Sequence, residues 1–296
     1  MQISTKRLIG VIAGVSVFAS APAVMGYDRG GSGHERDSGR HGGDLDVIGL
    51  TQDARLIRFE DDRPGKARDV GRVKGLVGDT KLVGIDYRPA SGNDGSRGVL
   101  YGLGDAGGVY TVDRGRSTKV SQLSIPLEGS SFGVDFNPVV DRLRIISDTG
   151  QNLRHNVDAP TGGTLQDAPL TYTAPTAAAG VTGAAYTNND QDPNTATTLF
   201  DIDSTMDQTS IQSPANAGTL AATGKLGVDT GPVVGSDIYS TVRDGSTVRL
   251  RGLASLTVGG QSRLYRIDLL KGRANSRGSF AARNQVTAIA IPLNQL

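Results

Sequence analysis

Three aspartates, Asp86, Asp135 and Asp237, are the residues whose type and spacing best suit chemistry in this sequence. Each follows a glycine by two positions inside a short apolar segment. Because residues i and i+2 share one face of a β-strand, each carboxyl group should point the same way as its glycine. Carboxylates that converge can form an acid–base pair, bind a hard cation such as calcium, or accept amide hydrogen bonds.

The repetition of these aspartates favours the structural role. A short carboxylate between converging strands can accept amide hydrogen bonds from the neighbouring repeat. A residue that recurs at the same position in several repeats usually has the same structural role in each. Binding of a ligand or cation at Asp86, Asp135 and Asp237 is the second hypothesis. Catalysis is the third hypothesis. A glycosidase needs one protonated and one ionised carboxyl group, and aspartates could supply both. Beyond residue 44 the only glutamates are Glu60 and Glu128.

A second oxygen-rich segment resembles the start of a calcium loop. Asp190, Asp192 and Asn194 occupy positions one, three and five of such a loop, and Asp201 occupies position twelve. Position six should be glycine for the sharp turn, but it is Thr195. We therefore favour an ordinary polar turn and keep a calcium site at Asp190, Asp192 and Asn194 as the alternative.

Other catalytic residue types are scarce. The chain has no cysteine, which excludes disulfides, a thiol nucleophile and Cys-ligated zinc. It also has no tryptophan, which argues against a lectin-type sugar site. The only histidine beyond residue 44, His155, lies in NLRHNVD, where alternating polar residues predict a position on a strand surface. No nucleophile-elbow motif accompanies it, so a Ser–His–Asp hydrolase is not expected.

The charge distribution is balanced overall but uneven along the chain. From Leu45 onward there are 26 basic and 26 acidic residues, so the basic surplus that nucleic-acid binding requires is absent. Residues 157–240 contain nine acids and one base, whereas residues 241–283 contain nine bases and two acids. This asymmetry can mark a partner surface, or it can simply reflect two oppositely charged neighbours.

The elements that must position the aspartates are short strands. Helix signals are nearly absent, whereas 41 glycines separate runs rich in β-branched and aromatic residues. Four segments align on an early glycine, at steps of 49, 50 and 52 residues: LVGIDYRP (82–89), SFGVDFNP (131–138), VTGAAYTN (181–188) and VGSDIYST (234–241). Units of this length, each with four strands, predict the blades of a β-propeller.

The two ends of the repeat array complement each other. The first unit, residues 46–73, has three predicted strands, and a last copy of the initial strand, VTAIAIPL (286–293), has no unit of its own. Pairing that strand with the first unit completes a fifth blade and leaves no long unpaired edge. We therefore predict an all-β, five-bladed propeller over residues 45–296, with a β-sandwich as the alternative.

The amino terminus has a different composition. Lys6 and Arg7 precede an uncharged apolar run from Leu8 to Phe18, and small residues follow. This pattern predicts a secretory signal peptide over residues 1–26, followed by a flexible Gly-rich leader over residues 27–44. No later apolar stretch approaches the roughly eighteen residues of a membrane span. The mature protein is therefore expected to be extracellular or periplasmic.

Several of these runs resemble one bacterial family, domain-of-unknown-function family 4394. The resemblance covers about residues 45–293 and is carried by LVGIDYRP, LYGLGDAGGVYTVD, FGVDFNPVVDRLRIISDTGQNLR, AAYTNND, TTLFDID and GKLGVD. Its most specific part is SDTGQNLR with the preceding DFNP. The resemblance implies a secreted or periplasmic propeller-like protein, and it implies no catalytic residues.

Together these observations predict an exported, non-catalytic binding or scaffold protein. Its ligand would be a small molecule, a glycan or a protein, and we expect a monomer without a cofactor, calcium apart. A glycosidase or lyase that uses carboxylates is the enzymatic alternative. A structural envelope protein, with its two oppositely charged units packed against a partner, is the third hypothesis.

Overall fold

The computed structural model describes residues 44–159, 162–192, 195–244 and 246–296. Within these ranges the chain forms five antiparallel four-stranded sheets, arranged as the blades of a propeller. The predicted all-β, five-bladed fold is confirmed, and the β-sandwich is excluded because the strands form five separate sheets. The signal peptide and almost all of the leader lie outside the described residues, so both stay predictions.

The strands are short and follow one another in hairpins. Blade 1 contains β1 (Asp46–Thr51), β2 (Arg55–Glu60) and β3 (Arg68–Arg72). Blade 2 contains β4 (Leu82–Arg88), β5 (Val99–Gly104), β6 (Gly108–Asp113) and β7 (Arg116–Gln122). Blade 3 contains β8 (Phe132–Asn137), β9 (Arg142–Ser147), β10 (Asn152–His155) and β11 (Thr164–Gln166). Blade 4 contains β12 (Val181–Tyr186), β13 (Leu199–Asp203), β14 (Gln208–Gln212) and β15 (Leu220–Lys225). Blade 5 contains β16 (Val234–Arg243), β17 (Ser246–Val258), β18 (Gln261–Ile267) and β19 (Ala274–Ser279), and β20 (Val286–Ala290) ends the array. Helical structure in the described ranges is limited to 3₁₀ turns at Pro64–Lys66, Pro89–Gly92 and Ala215–Ala217.

The last strand closes the ring as the sequence predicts. Strand β20 pairs antiparallel with β1, so the first sheet has the order β20-β1-β2-β3. The inner strand of each blade also contacts the inner strands of its two neighbours, in the circular order β20, β4, β8, β12 and β16. These contacts place the five inner strands around one central axis.

The hydrophobic core is divided into layers between adjacent blades. One layer packs Val47 and Phe59 of blade 1 against Leu253 and Leu264 of blade 5, and comparable layers lie at the other blade junctions. Because each blade is covered on both faces, its strands need not alternate between apolar and polar residues. Every residue of β12 and of β13 is buried.

Candidate functional site

The recurring glycines allow the inner strands to converge. A Cβ atom added to Gly133 would lie 2.7 Å from the amide nitrogen of Ala184, and one added to Gly235 would lie 2.6 Å from Cα of Ala288. Both distances are far below van der Waals contact, and each clash is with the backbone of the next blade. The same crowding is found at Gly84 and Gly183. Glycine at this position therefore sets how closely the blades approach the axis.

The aspartates two residues further along meet at this axis. The carboxyl groups of Asp86, Asp135 and Asp237 contribute oxygens that all lie within 4.8 Å of one another. The three residues are 6%, 4% and 6% exposed. We call them the aspartate triad. The structure thus brings together the three residues that sequence alignment had placed at equivalent positions.

Each carboxylate of the triad joins its blade to the next one. Asp86 accepts a hydrogen bond from the amide of Phe136 at 2.8 Å, and Asp135 accepts one from Tyr186 at 3.1 Å. Asp237 accepts one from Ile291 at 2.5 Å. In each case the donor belongs to the inner strand of the following blade, or directly follows that strand. These are the interblade hydrogen bonds expected for the structural role.

Two blades carry alanine in place of the aspartate, namely Ala185 and Ala290. The amides that these blades would otherwise bind are those of Ile238 and Tyr87. Ile238 donates instead to Oδ1 of the residue before it, Asp237, at 2.5 Å. The amide of Tyr87 makes no comparable hydrogen bond to Asp86 within the described residues.

Three carboxylates therefore accept four equivalent amides around the axis, on Phe136, Tyr186, Ile238 and Ile291. Asp237 accepts two of these amides, whereas Asp86 and Asp135 accept one each. Within the described part of the chain, Oδ1 of Asp86 and Oδ2 of Asp135 are left without a hydrogen-bond donor. The amides on the free edge of an inner strand have no further strand to bond to. A carboxylate at the axis accepts their hydrogen bonds and so avoids the free-energy cost of burying unbonded amides.

The triad is strongly perturbed electrostatically. Burial, and next the charge of Asp237, raises the pKa of Asp86 well above its usual range. Burial, followed by the charges of Asp86 and Asp237, does the same to the pKa of Asp135. Burial raises the pKa of Asp237 to about 7, although the amides of Ile291 and Ile238 act to lower it. Mutual repulsion of this kind requires that the carboxyl groups share protons or hold a cation.

The cavity at the triad is very small. Its volume is about 10 Å³, which is about the lower limit for one water molecule or ion. A sugar ring cannot enter such a space, so the triad does not have the open geometry of a glycosidase site. A hard cation would find only oxygen ligands on the triad, and most of those oxygens already accept amide hydrogen bonds.

The second predicted calcium segment forms a turn bonded to itself. Oδ1 of Asp190 accepts the amide of Asp192 at 2.8 Å and the hydroxyl of Thr195 at 2.8 Å. Asn194 lies outside the described residues, so calcium binding there stays a prediction. Asp201 lies in β13, fully buried, and neither of its carboxylate oxygens has a hydrogen-bond partner among the described residues. Burial raises the pKa of Asp201 well above its usual range.

The prediction that His155 lies on a strand surface is wrong. His155 is fully buried, with Nε2 2.9 Å from the hydroxyl of Ser121 and Nδ1 3.0 Å from that of Thr164. Burial, with a smaller contribution from Arg142, lowers its pKa to about 4. The imidazole is therefore neutral, and its hydrogen bonds join blades 2 and 3. It is buried because the neighbouring blade covers the strand surface that the polar alternation had indicated as exposed.

A larger cavity lies where inner strands β4, β8, β16 and β20 begin, and we call it the mouth cavity. Its volume is about 520 Å³, within the usual range for small-molecule sites. Its wall is formed by blades 1, 2, 3 and 5, and it includes Lys81, Ser131, Phe132, Val233 and Gln52. No carboxylate and no imidazole is found among the described residues of this wall.

Sequence reasoning missed the mouth cavity, although a signal for it existed. Most of the wall consists of residues one to three positions before the recurring glycine, or before Ala288, which takes its place in the last repeat: Lys81, Leu82, Val83, Ser130, Ser131, Phe132, Val233, Val234, Gln285, Val286 and Thr287. An alignment of the repeats places these residues at three equivalent positions, and those positions identify the wall. Their residue types vary between blades, so no motif drew attention to them.

The chain is similar to several solved structures at low sequence identity. The chain is 11% identical to a chain of a nidogen/laminin complex, covering 86% of this chain and all of that one, with a TM-score of 0.46. A protein of unknown function from Bacteroides thetaiotaomicron is 14% identical, covering 84% of this chain and 61% of that one, with a TM-score of 0.41. A protein from Lactobacillus plantarum is 13% identical, covering 84% and 99%, with a TM-score of 0.38. No curated protein sequence matches the chain.

Two further findings concern the class of protein. In the part of the chain that the structure describes, no helix has the length and apolar character needed to cross a membrane. The family model described as domain of unknown function DUF4394 matches residues 55–290, which include strands of all five blades. The chain therefore belongs to the DUF4394 family.

Proposed function

We propose that this protein is an exported, non-catalytic binding protein that holds a small ligand in the mouth cavity. The observation that carries the proposal is the cavity itself, which offers about 520 Å³ and combines apolar side chains with polar groups. Such a combination is typical of sites that bind small molecules. A propeller suits this role because its loops and strand ends surround one central depression.

The contents of the cavity wall favour binding over catalysis. General acid–base catalysis requires a titratable group within hydrogen-bond reach of the reacting atoms. The described wall carries one titratable side chain, Lys81, and neither a carboxylate nor a histidine. The aspartate triad has the carboxylates, but its cavity of about 10 Å³ has no room for a substrate. We therefore rank the glycosidase or lyase hypothesis below binding.

A ligand screen with a blocked variant tests the proposal. The full chain would be screened against a library of small metabolites by ligand-observed NMR. Val233 is 37% exposed on the cavity wall, so Val233→Trp should fill the cavity and abolish binding of the hits. Val140 is 55% exposed and outside the cavity, so Val140→Trp should retain binding. Hits that bind Val233→Trp as well as the parent, or an empty screen, would contradict the proposal.

Export rests on the amino-terminal sequence and has its own test. The small residues Ala21-Pro22-Ala23 and Val24-Met25-Gly26 each have the pattern of a signal-peptidase site. Intact-mass analysis of protein isolated from its native host should therefore show loss of the first 23 or 26 residues. A full-length product that starts at Met1 and is retained in the cytoplasm would show that this part of the proposal is wrong.

A further inference from the structure

The charge of the mouth cavity comes from one lysine. Lys81 directly precedes β4 and is the only charged residue in the described wall. Its ammonium group makes no ion pair or hydrogen bond with any described residue. The neighbouring carboxylates Asp105 and Asp148 do not line the cavity and make no ion pair with Lys81. Asp105 accepts hydrogen bonds from Thr80 and from the backbone amide of Lys81, and Asp148 accepts one from Ser130. The wall therefore presents a positive charge without a matching negative one.

Two neutral polar groups on the wall are also unengaged. The side-chain amide of Gln52 and the hydroxyl of Ser131 make no hydrogen bond within the described part of the chain. By contrast, Gln285 donates to Ala282, and the hydroxyl of Thr287 donates to the carbonyl of Leu50. Gln52, Lys81 and Ser131 belong to consecutive blades 1, 2 and 3. The available hydrogen-bond donors thus come from one arc of the rim.

The remaining wall offers apolar surface. Val83 and Phe132 are half-buried residues at the start of two inner strands, and Val233 is 37% exposed. Removing such surface from water is the main source of affinity for a small ligand. A ligand that covers these side chains needs an apolar body about the length of a short alkyl chain or a single ring.

Resting on the proposed binding function, we infer that the ligand is an organic anion with an apolar body. Its anionic group would pair with the ammonium group of Lys81 and accept hydrogen bonds from Gln52 and Ser131. Its body would cover Val83, Phe132 and Val233. The apolar contact supplies most of the affinity, and the lysine supplies the preference for negative charge, because an ion pair at a partly exposed rim contributes little.

Three probes with one body and different head groups test this inference: octanoate, 1-octanol and octylammonium. Titration of the full chain should give the tightest binding for octanoate and the weakest for octylammonium. The ratio of dissociation constants between octanol and octanoate should be roughly two- to five-fold and should shrink as salt is added. Lys81→Met should remove the preference while retaining octanol binding. Lys66→Met changes an exposed lysine outside the cavity, and it should alter neither the preference for octanoate nor the binding of octanol.

The outcomes separate this inference from the proposed function. Octanol that binds as tightly as octanoate, or a preference for octanoate that survives in Lys81→Met, would overturn the inference. If the metabolite screen nevertheless yields neutral hits that Val233→Trp abolishes, binding at the mouth cavity stands and only the ligand class is wrong. If none of the three probes binds, the inference fails whatever the screen shows.

Discussion

At the scale of single residues, the centre of this propeller is defined by how backbone amides find acceptors. An inner strand has a neighbour on one side only, so amides on its free edge face the axis. Asp86, Asp135 and Asp237 supply those acceptors, and each links its own blade to the following one. The three carboxyl groups are buried close together as a result. Burial raises the pKa of all three, and the charges of neighbouring aspartates raise the pKa values of Asp86 and Asp135 further. The triad therefore stabilises the ring at the cost of burying negative charge.

The unequal sharing of amides predicts unequal effects of substitution. Asparagine keeps one acceptor oxygen and replaces the other with a donor. Asp237→Asn should leave one buried amide without an acceptor, which costs about 1–3 kcal/mol in the free energy of unfolding. Asp86→Asn and Asp135→Asn should cost less, because each of these aspartates accepts a single amide and the new amino group can donate to a neighbouring carboxylate. Urea denaturation of the three variants measures the difference, and equal losses would contradict this account.

The same triad predicts a dependence of stability on pH. The folded-state pKa values of these aspartates are raised, so their stabilising contribution is complete below the unfolded-state pKa of about 3.9. It is lost as the pH rises through the folded-state pKa values, of which that of Asp237 is about 7. The advantage of the parent over Asp135→Asn should therefore shrink between pH 5 and pH 8. His155, whose pKa is lowered to about 4, acts in the opposite direction, but it contributes equally to both proteins and cancels in their difference.

Calcium should leave the stability of this protein unchanged. Most oxygens of the triad already accept amide hydrogen bonds, so binding a cation there would require breaking them. We expect the melting temperature to be the same in millimolar calcium and in chelator. A calcium-dependent increase that disappears in the triple variant Asp86→Asn, Asp135→Asn and Asp237→Asn would instead assign a cation to the triad. An increase that disappears only in Asp190→Asn would assign it to the polar turn.

At the scale of elements, the inner strand combines two requirements within three residues. The recurring glycine lets the strand approach the next blade, and the residue two positions later faces the axis. Gly235 illustrates the first requirement, since its backbone conformation is open to alanine but the space beside it is occupied by Ala288. Packing, rather than backbone strain, is the reason for glycine at this position.

A matched pair of substitutions tests that reason. Gly235→Ala places a Cβ atom 2.6 Å from Cα of Ala288 and should lower the free energy of unfolding by about 1–3 kcal/mol. Gly231→Ala, in the preceding loop, has its nearest neighbour at 3.6 Å and should be close to neutral. Thermal and urea denaturation measure both variants. Similar stabilities for the two would mean that the inner strands separate easily and that the glycine has another role.

At the scale of the whole molecule, the ring is held together where the chain ends meet. Strand β20 completes blade 1, and the residues after it add further contacts. The side-chain oxygen of Gln295 accepts the amide of Asp46 at 2.8 Å, and the backbone amide of Gln295 donates to the hydroxyl of Tyr239 at 2.8 Å. Asn294 donates to the carbonyls of Gly92 and Ser96. The carboxyl-terminal residues thus bind blades 5, 1 and 2.

Deletion of residues 286–296 should therefore unfold the domain or sharply lower its melting temperature. The deletion removes the inner strand of blade 1, exposes the apolar layers on both of its sides and leaves one edge of β1 unpaired. Calorimetry or circular dichroism measures the transition. Adding a synthetic peptide of residues 286–296 should restore cooperative melting, which separates loss of the strand from general damage. A truncated protein that melts within a few degrees of the full chain would contradict ring closure as the source of stability.

The sequence by itself determined the class, number and order of the blades. Glycines at steps of 49, 50 and 52 residues, a three-strand first unit and an unpaired last strand are sufficient for a closed five-bladed ring. The equivalence of Asp86, Asp135 and Asp237 follows from the same alignment, because repetition along the chain becomes proximity around an axis.

Only the tertiary structure decided what depends on contacts between blades. His155 lies in a segment that alternates like an exposed strand, yet it is buried because a propeller covers both faces of each blade. The hydrogen bonds of Asp86 to Phe136 and of Asp237 to Ile291 depend on distances between blades. The mouth cavity, too, is assembled from residues of four blades that vary in type. The local sequence pattern reflects contacts between residues that are close together in the chain. The features named above arise instead from partners at least thirty residues away in the sequence.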